Sequence, residues 1–472
     1  MLTDLKFIQE GEKFPPAAES ERIETYEKNR ALYKGEHATV YAEDLKRIER
    51  VIGNFDQVIS YPIIINYQKL ISIKTADLLL GEEPEITAED EKKKSTIKAI
   101  IKNSKLIQTA YSAAIDISRY GDGLFLIDKR KDKGVIDLAQ PRFWYPVVNP
   151  DNTREITHHV LAWPSGDELK VQIHEIGKFE KRVYIYENGS IGRVKSAGEF
   201  VTTGLDDFAI VQISNTQTSD SCTGTDDYND VDSIIADIMV RIGQIDRILD
   251  KHASPSVSGP VSALERDIKS GEWRFKAGNY FPRDKADDPI AEYITWDGQL
   301  SANFQQVERL INLLYTISEM GSAIFGDMAG SSGQIPSGSA LKRLMISPLA
   351  KVQRIRMNFD PALKKAIALC SQMGGKNIIR IEDEDVTIKW QDGLPTDDKE
   401  QAEIMAGRTG GKATISQKTA IMILDGKDEA SAEEELEAIL DDEAAANPVQ
   451  VPEIALGPES APPDEEETED DA

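Results

Sequence analysis

Two long stretches of helical periodicity constrain this chain more than any other feature. Residues 228–251 and 304–325 each carry apolar side chains at steps of three and four. The apolar positions are Val231, Ile234, Ile238, Ile242, Ile245 and Leu249 in the first stretch and Phe304, Val307, Leu310, Leu314, Ile317 and Ile324 in the second. A helix with such a stripe must bury it against another element. Residues 254–300 between them are rich in Pro, Gly and aromatic residues, which predicts a small mixed subdomain between two long helices.

The part before these helices is predicted to be helical and then β. Helices are expected at residues 20–33, 63–80 and 92–120, with a stop at Gly81 and Pro84. Residues 121–214 contain short β-branched and aromatic segments separated by turn pairs such as Asn188-Gly189, which indicates antiparallel strands. His158, His159 and His174 lie here. Adjacent strand residues point to opposite faces, so we expect at most one of the first two to share a face with His174, and packing rather than metal binding.

After the second long helix, residues 326–338 form a stretch of mostly small residues that predicts an exposed, flexible loop. A long helix is expected to start near Ser339, to bend at Pro348 and to continue after an Asp360-Pro361 start signal. This helix is basic in an acidic chain, so its charges need a counter-charge. The basic residues are Lys342, Arg343, Lys351, Arg354, Arg356, Lys364 and Lys365.

Charge limits the functions that the chain can have. It contains 82 acidic and 55 basic residues in 472, a formal net charge of −27, which argues against binding nucleic acid by general electrostatic attraction. Residues 428–472 hold 18 of the acids and no Lys or Arg, so the rest is only mildly acidic. From residue 444 onward the composition is typical of disorder. This tail is either a solvated arm or an acidic arm that repels DNA or binds a basic partner.

Motifs for catalysis and cofactor binding are missing from the sequence. Gly333 and Gly338 have P-loop spacing, but Ser339-Ala340 follows where that motif needs Lys and Ser or Thr. Cys222 and Cys370 are far apart and are expected to be reduced, partly buried thiols. No apolar run is long enough for a membrane span, and residues 1–13 lack a secretory signal. We therefore expect no enzyme, no cofactor and no metal site.

A series of short motifs, in order, resembles the portal proteins of tailed double-stranded DNA bacteriophages, the head-to-tail connectors. The series covers roughly residues 20–425. Its members are the Tyr33-Lys34-Gly35-Glu36-His37 turn, residues 66–69 leading to Leu80-Gly81-Glu82-Glu83-Pro84, Gly121-Asp122-Gly123, the helix at 230–250, Ser337-Gly338-Ser339-Ala340-Leu341-Lys342, residues 389–395, and Ile415-Ser416. The run Ser221-Cys222-Thr223-Gly224-Thr225 departs from the usual pattern, which leaves the boundary before the first long helix open.

The resemblance implies a fold of the α+β class, mainly helical, in a subunit of a ring that is usually a dodecamer. The implied regions are a helical part of the wing at 1–120, an antiparallel β part of the wing at 121–225, stem helices at 226–253 and 301–325, a mixed clip at 254–300, a tunnel loop at 326–338, a bent long helix at 339–373, a wing return strand and linker at 374–413, crown helices at 414–443 and an acidic tail at 444–472.

The resemblance also implies a function in the virion. The ring would be the channel at the capsid vertex through which double-stranded DNA is packaged and ejected, without sequence specificity. It would dock the terminase large subunit and a head-tail adaptor and contact major capsid and scaffolding proteins, after assembly in the host cytoplasm. A self-assembling ring or scaffold without DNA translocation is the alternative. A DNA-processing or hydrolytic enzyme is a third option.

Site residues follow from the same resemblance. Ser331, Ser332 and Gln334 would touch the DNA backbone without holding it, whereas Lys342 and Arg343 would face phosphate or pair with a neighbouring subunit. The residues expected between subunits are Lys351, Arg354, Arg356, Ile238, Ile242, Ile245, Leu314 and Ile317. Trp273, Phe275 and Tyr280 are better explained as the clip core than as an exposed surface for terminase or adaptor, although they stay candidates for that partner surface.

Overall fold

The computed structural model describes residues 1–50, 63–196, 198, 200–253, 300–326, 343–375, 378–391, 398–410 and 413–446, together with four short strands between 257 and 293. The chain divides into two compact units, residues 1–394 and residues 395–472.

The first unit contains most of the helices. They are α1 (Ser20–Lys34), α2 (His37–Val40), α3 (Ala42–Arg50), α4 (Tyr67–Leu80), α5 (Glu91–Ser104), α6 (Leu106–Tyr120), α7 (Asp232–Ala253), α8 (Leu300–Ile317), α9 (Gly321–Ile324) and α10 (Ile346–Gln372). The predicted stop after α1 is confirmed. Gly35 has φ of +90°, and its N–H bonds back to the Leu32 carbonyl at 3.0 Å. Asn66 caps α4 by accepting the Lys69 N–H at 2.8 Å.

Antiparallel strands occupy the region where the sequence predicted them. They are β1 (Glu85–Thr87), β2 (Asp122–Arg130), β3 (Lys133–Leu138), β4 (Trp144–Asn149), β5 (Asn152–Ser165), β6 (Glu168–Glu175), β7 (Lys178–Glu187), β8 (Ser190–Ser196), β9 (Phe200–Thr202), β10 (Ile210–Ser214), β11 (Val257–Ser258), β12 (Leu264–Arg266), β13 (Trp273–Phe275), β14 (Glu292–Tyr293) and β15 (Thr387–Lys389). Strands β4 to β8 form one sheet in sequence order, with β9 on β7, and β10-β2-β3 form a second. Pairs β1-β15, β11-β14 and β12-β13 complete the set.

The histidine expectation is confirmed in its geometry. His159 on β5 lies directly opposite His174 on β6, so these two share a face. The Trp144 Nε1–H donates to His159 Nδ1 at 3.0 Å, and the His174 ring stacks on Phe179. Burial is the main cause that lowers the pKa of His159 to about 3 and of His174 to about 4. Both rings are packing elements of the sheet, and within the described residues no group of three His, Cys, Asp or Glu is placed to hold a metal ion.

Three apolar clusters hold the first unit together. The largest lies between α4, α6, α7, α10 and the β2-β3 hairpin, and Ile71, Ile100, Phe125 and Phe359 are among its fully buried members. A second cluster forms where the N-terminal segment, through Leu2, Phe7, Ile8 and Phe14, covers the sheet of β4 to β8. A third surrounds Trp144. Cys222 and Cys370 are free and buried, as expected.

The two long helices bury their stripes within the subunit, which corrects part of the sequence interpretation. Helix α7 packs on α8 and on α3, so Ile238, Ile245 and Leu314 are buried and Ile242 is half-buried. Ile317 is 44% exposed. The expectation of a place between subunits is corrected for Ile238, Ile245 and Leu314, because their own subunit covers them. For Ile242 and Ile317 it stays a prediction. Helix α8 also ends at Ile317, earlier than predicted, because positive φ at Glu319 and Gly321 turns the chain into α9.

The long basic helix is continuous where the sequence predicted a restart. Helix α10 runs through Pro361, while Pro348 lies in its first turn. Asp360 therefore is not a helix cap. Its carboxylate accepts the Trp390 Nε1–H at 2.8 Å and pairs with Lys364 one turn further on, also at 2.8 Å.

The second unit is helical over its described residues. It contains α11 (Asp398–Thr409), α12 (Gln417–Asp425) and α13 (Glu429–Ala446). Ser416 caps α12 by accepting the Thr419 N–H at 3.1 Å. Lys418 reaches across to α13 and pairs with Glu429 and Glu433 at 3.2 and 3.0 Å. These pairs are exposed, so small buried residues such as Ala420 and Ala432 contribute most to the packing.

The backbones of Gly121 and Gly224 approach each other closely, and this contact yields a testable prediction. A Cβ on Gly224 would lie 2.2 Å from the Gly121 carbonyl oxygen, although the φ of Gly224 is ordinary. We expect Gly224→Ala to lower the free energy of unfolding by about 2–3 kcal/mol, because backbone cannot yield as a side-chain tip can. Urea denaturation measures this. The control Gly166→Ala has open space and should cost about 1 kcal/mol through its positive φ; equal losses would contradict the steric explanation.

Candidate functional site

A cluster of buried polar side chains joins α7 to the rest of the first unit. We call it the polar joint and define it by three carboxylates, Asp122, Asp227 and Asp232. The segment between β10 and α7 supplies Asp227, since Asp226 bends the chain by accepting the N–H groups of Tyr228 and Asn229 at 2.8 and 2.9 Å. The Tyr228 hydroxyl is then buried 2.7 Å from the Ser72 hydroxyl on α4.

Asp227 forms a buried ion pair with Lys351 of α10. The Lys351 Nζ lies 3.0 Å from Asp227 Oδ1, and both side chains are 7% exposed. Asn215 and Ser118 donate to the same carboxylate at 2.9 and 2.6 Å, and Lys351 also donates to the Ser318 carbonyl at 3.2 Å. Burying two charges is costly unless they are paired and their remaining hydrogen-bonding sites are filled, as here. The pair thereby connects α6, the β10–α7 segment, the end of α8 and α10.

Asp232 begins α7 and connects it to the N-terminal helices. Its carboxylate accepts the Tyr41 hydroxyl at 3.0 Å and the Gln68 amide at 3.1 Å, and it pairs with Lys28 at 2.7 Å. His37 lies 2.9 Å from the Gln68 side chain. An acid in the first turn also interacts favourably with the helix dipole. Asp232 therefore fixes the start of α7 against α1, α2 and α4.

Asp122 is the third carboxylate, and it is fully buried. It accepts the Tyr26 hydroxyl and the Gln212 amide, each at 2.8 Å, and the Gly224 N–H at 3.1 Å. Burial raises the pKa of Asp122 despite these donors, because desolvation of the charged form outweighs them. This carboxyl ties β2 to α1, β10 and the turn that carries Gly224.

A cavity of about 230 Å³ adjoins the ion pair. Its wall includes Asp226, Asp230 and Glu319 on the acidic side and Lys351 and Arg354 on the basic side. It lies where α8 ends, against the segment that starts α7.

The structure gives the basic residues of α10 counter-charges inside the chain. Counted over the whole residue, Lys351 is 5% exposed and Arg356 is 8% exposed. Lys351 pairs with Asp227. Arg356 donates to the Gln391 carbonyl and lies over the Trp390 ring. Arg354 is exposed and pairs with Glu319. Intersubunit pairing was expected for all three. For Lys351 and Arg356 this is corrected, because their charged groups are engaged and buried in one subunit; for Arg354 it stays a prediction.

The other predicted site residues fall largely outside the described part of the chain. The structure does not describe Ser331, Ser332, Gln334, Lys342 or Tyr280. Arg343 is described and exposed. Trp273 and Phe275 lie on β13, which pairs with β12, and the description covers their backbone alone.

Sequence reasoning missed the polar joint. Its acids are scattered among the many acids of the chain, and their partners come from positions as distant as Tyr26 and Lys351. One signal was present: the run Asp226-Asp227-Tyr228-Asn229-Asp230, directly before an apolar stripe, combines turn formers with an aromatic residue.

Comparison with known proteins identifies the family. The family model described as phage portal protein, SPP1 Gp6-like, matches residues 13–449. The match covers most of the chain, so the protein belongs to this family of phage portal proteins, as its motifs predicted. None of the helices in the described residues is long and apolar enough to cross a membrane.

Solved structures and curated proteins were also compared. One similar structure is described as the neck of a native GTA particle computed with C12 symmetry, at 11% identity, 76% of this chain, 89% of that chain and a TM-score of 0.42. Another is described as the neck of an empty GTA particle computed with C6 symmetry, at 13% identity, 76% of this chain, 88% of that chain and a TM-score of 0.45. No curated protein matches the sequence.

The buried pair gives a prediction for stability. We expect Lys351→Met to lower the free energy of unfolding by about 3–5 kcal/mol, because it leaves the Asp227 charge buried without its partner. The double variant Lys351→Met/Asp227→Asn should recover part of that loss. Urea denaturation measures both. Lys364→Met on the same helix removes a half-exposed pair with Asp360 and should cost below about 1 kcal/mol; an equal cost for both lysines would contradict the special role of Lys351.

Asp122 gives a prediction for pH dependence. Its pKa is higher in the folded than in the unfolded chain, so ionisation of this carboxyl reduces stability as the pH rises above about 4. We expect the wild type to gain stability relative to Asp122→Asn as the pH falls from 7 towards 4, as measured by thermal unfolding. Asp385→Asn is the control of opposite sign, because a hydrogen bond from Lys93 lowers the pKa of Asp385. A parallel pH profile for wild type and Asp122→Asn would refute this.

Proposed function

We propose that this protein assembles into a ring that forms the channel for double-stranded DNA at the capsid vertex of a phage, through which the genome is packaged and ejected. The observation that carries the proposal is the match to the portal family over residues 13–449. The proposed site of action is the virion, and assembly takes place in the host cytoplasm. A terminase large subunit, a head-tail adaptor and capsid and scaffolding proteins are the proposed partners.

Exposed apolar side chains on the long helices support assembly into a ring. Phe304 and Ile317 on α8 are 54% and 44% exposed, and Ile346 and Met357 on α10 are 64% and 68% exposed. Each leaves apolar area in water that a neighbouring copy can cover, at about 1.5–3 kcal/mol for a fully buried large side chain. The stripes buried inside the subunit, at Ile238 and Leu314, do not take part in this contact. Arg354 lines the same cavity as Ile317 and is the basic residue proposed for the interface.

The channel itself is proposed from the family and from charge. A duplex slides only if few phosphates are neutralised, because every neutralised phosphate releases counterions and deepens binding. Ser331, Ser332 and Gln334 are proposed to touch the backbone, with Lys342 and Arg343 as a limited phosphate-facing ring. In the clip, Trp273, Phe275 and Tyr280 are proposed as core, and a partner surface is the alternative.

Electron microscopy of the purified protein tests the proposal directly. We expect a ring with a central hole that admits B-form duplex. A ring with a closed centre would favour the alternative, a scaffold without DNA translocation. A protein that stays monomeric at all concentrations would remove both.

The exposed side chains of α8 give the matching prediction. We expect Phe304→Asp/Ile317→Asp to abolish the ring in native mass spectrometry, because two apolar contacts worth roughly 3–6 kcal/mol are lost at every subunit interface. Circular dichroism should show a folded subunit, since both side chains point to solvent within it. Ile176→Asp is the control, since Ile176 is 60% exposed in the turn after β6. Rings that survive the double substitution would place the interface elsewhere.

A further inference from the structure

One face of α5 exposes a row of lysines in this acidic protein. Helix α5 buries Thr96, Ile97, Ile100 and Ser104. The opposite side exposes Lys92, Ser95, Lys98 and Lys102, and Lys105 follows at the end of the helix. Steps of three and four residues place these side chains on one face, over about 20 Å at 1.5 Å per residue. We call Lys92, Lys98, Lys102 and Lys105 the lysine row.

Several acids on and beside α5 are engaged with other groups. Asp90 caps the helix by accepting the N–H groups of Lys92 and Lys93, Glu91 pairs with Lys94 at 3.5 Å, and Asp385 pairs with Lys93 at 2.6 Å. On the neighbouring strands, Glu85 of β1 pairs with Lys389 and Asp137 of β3 pairs with Arg130. Over the described residues, no ion pair forms with any side chain of the lysine row.

The chemistry of the row selects its partner. A protein interface needs an apolar or aromatic centre, and lysine is depleted in such interfaces. The exposed face of α5 offers four ammonium groups and one serine hydroxyl, with no apolar side chain for a protein to bury. A polyanion held by charge alone fits it, and the regular phosphates of duplex DNA provide charges over the same length.

The negative net charge of the chain does not prevent the lysine row from binding a polyanion. Charges in water are screened beyond about 8 Å at physiological ionic strength, so a phosphate beside α5 interacts mainly with the local lysines. Eighteen of the acids belong to residues 428–472 of the sequence. The net charge of the whole chain therefore does not determine the charge that a phosphate meets beside α5.

We propose that the lysine row binds the phosphate backbone of duplex DNA, without sequence preference, through residues other than those proposed for the channel. The residues assigned to the channel, Ser331 to Arg343, belong to another part of the chain, so this contact goes beyond the proposed function. It is a weak, salt-dependent contact for DNA that lies against the outside of the subunit.

The test is the salt dependence of DNA binding by the full-length protein. A fluorescent 30-base-pair duplex of mixed sequence is titrated by anisotropy between 50 and 200 mM NaCl. Neutralising four phosphates contributes a slope of about −3.6 in log K against log salt. We expect Lys92→Gln/Lys98→Gln/Lys102→Gln/Lys105→Gln to lose about 2–3.6 units of that slope and at least roughly tenfold in affinity at 50 mM, whereas the corresponding Arg variant keeps both.

A matched control carries the same change of charge elsewhere. Lys6, Lys46, Lys178 and Lys195 are exposed and each pairs with an acid, so their replacement by Gln should leave the slope unchanged.

Equal slopes for the lysine-row variant and the wild type would overturn the proposal. Loss of the ring in native mass spectrometry of that variant would also overturn it, by placing α5 between subunits. If the protein binds polyglutamate more tightly than duplex DNA, the proposal is also overturned, and an acidic protein is the better partner. A ring without a central hole would contradict the proposed DNA channel, but it would not change the salt dependence expected for the lysine row.

Discussion

The structure depends on the ion pair of Asp227 and Lys351, because this pair fixes the place where the long helices meet the body of the subunit. Both groups are buried, and each has further hydrogen bonds, so the desolvation of two charges is offset only in this one arrangement. A geometry that loosens α7 or α10 exposes uncompensated charge inside the protein. The polar joint thus acts as a specific connection, where an apolar core would tolerate sliding.

Apolar burial and polar specificity are divided between different parts of the long helices. Helices α7 and α8 cover each other along Ile238, Ile245 and Leu314, which makes the pair stable within one subunit. Phe304 and Ile317 stay at the surface on α8. A subunit that is already folded and still exposes apolar side chains on α8 is suited to the assembly proposed above.

Charge is organised by region. Most basic side chains of α10 find acids in their own subunit, as Lys364 does with Asp360 and Lys365 with Asp207. The lysine row of α5 is different, because three nearby acids interact with other groups. Asp90 caps the helix, Asp385 pairs with Lys93 and Glu91 pairs with Lys94. The net charge of the chain alone would have hidden this contrast, since it averages over the acidic C-terminal residues.

Sequence by itself determined the helices, the antiparallel strands and the family. Local rules suffice there: apolar periodicity predicted α7 and α8, glycine ended α1 at Gly35, and turn pairs separated the strands. It also predicted that at most one of His158 and His159 could share a face with His174, since alternation along a strand is local; the register of β5 on β6 made it His159.

Only the tertiary structure decided which apolar faces are covered within the subunit and which charges are paired. Lys351 and Asp227 are 124 positions apart, and no periodicity relates them. For the same reason the continuity of α10 through Pro361 was missed: the Asp360 side chain bonds to Trp390, a contact that exists only after the chain has folded. Periodicity acts over one turn or one strand, whereas the polar joint is made by contacts between distant parts of the chain.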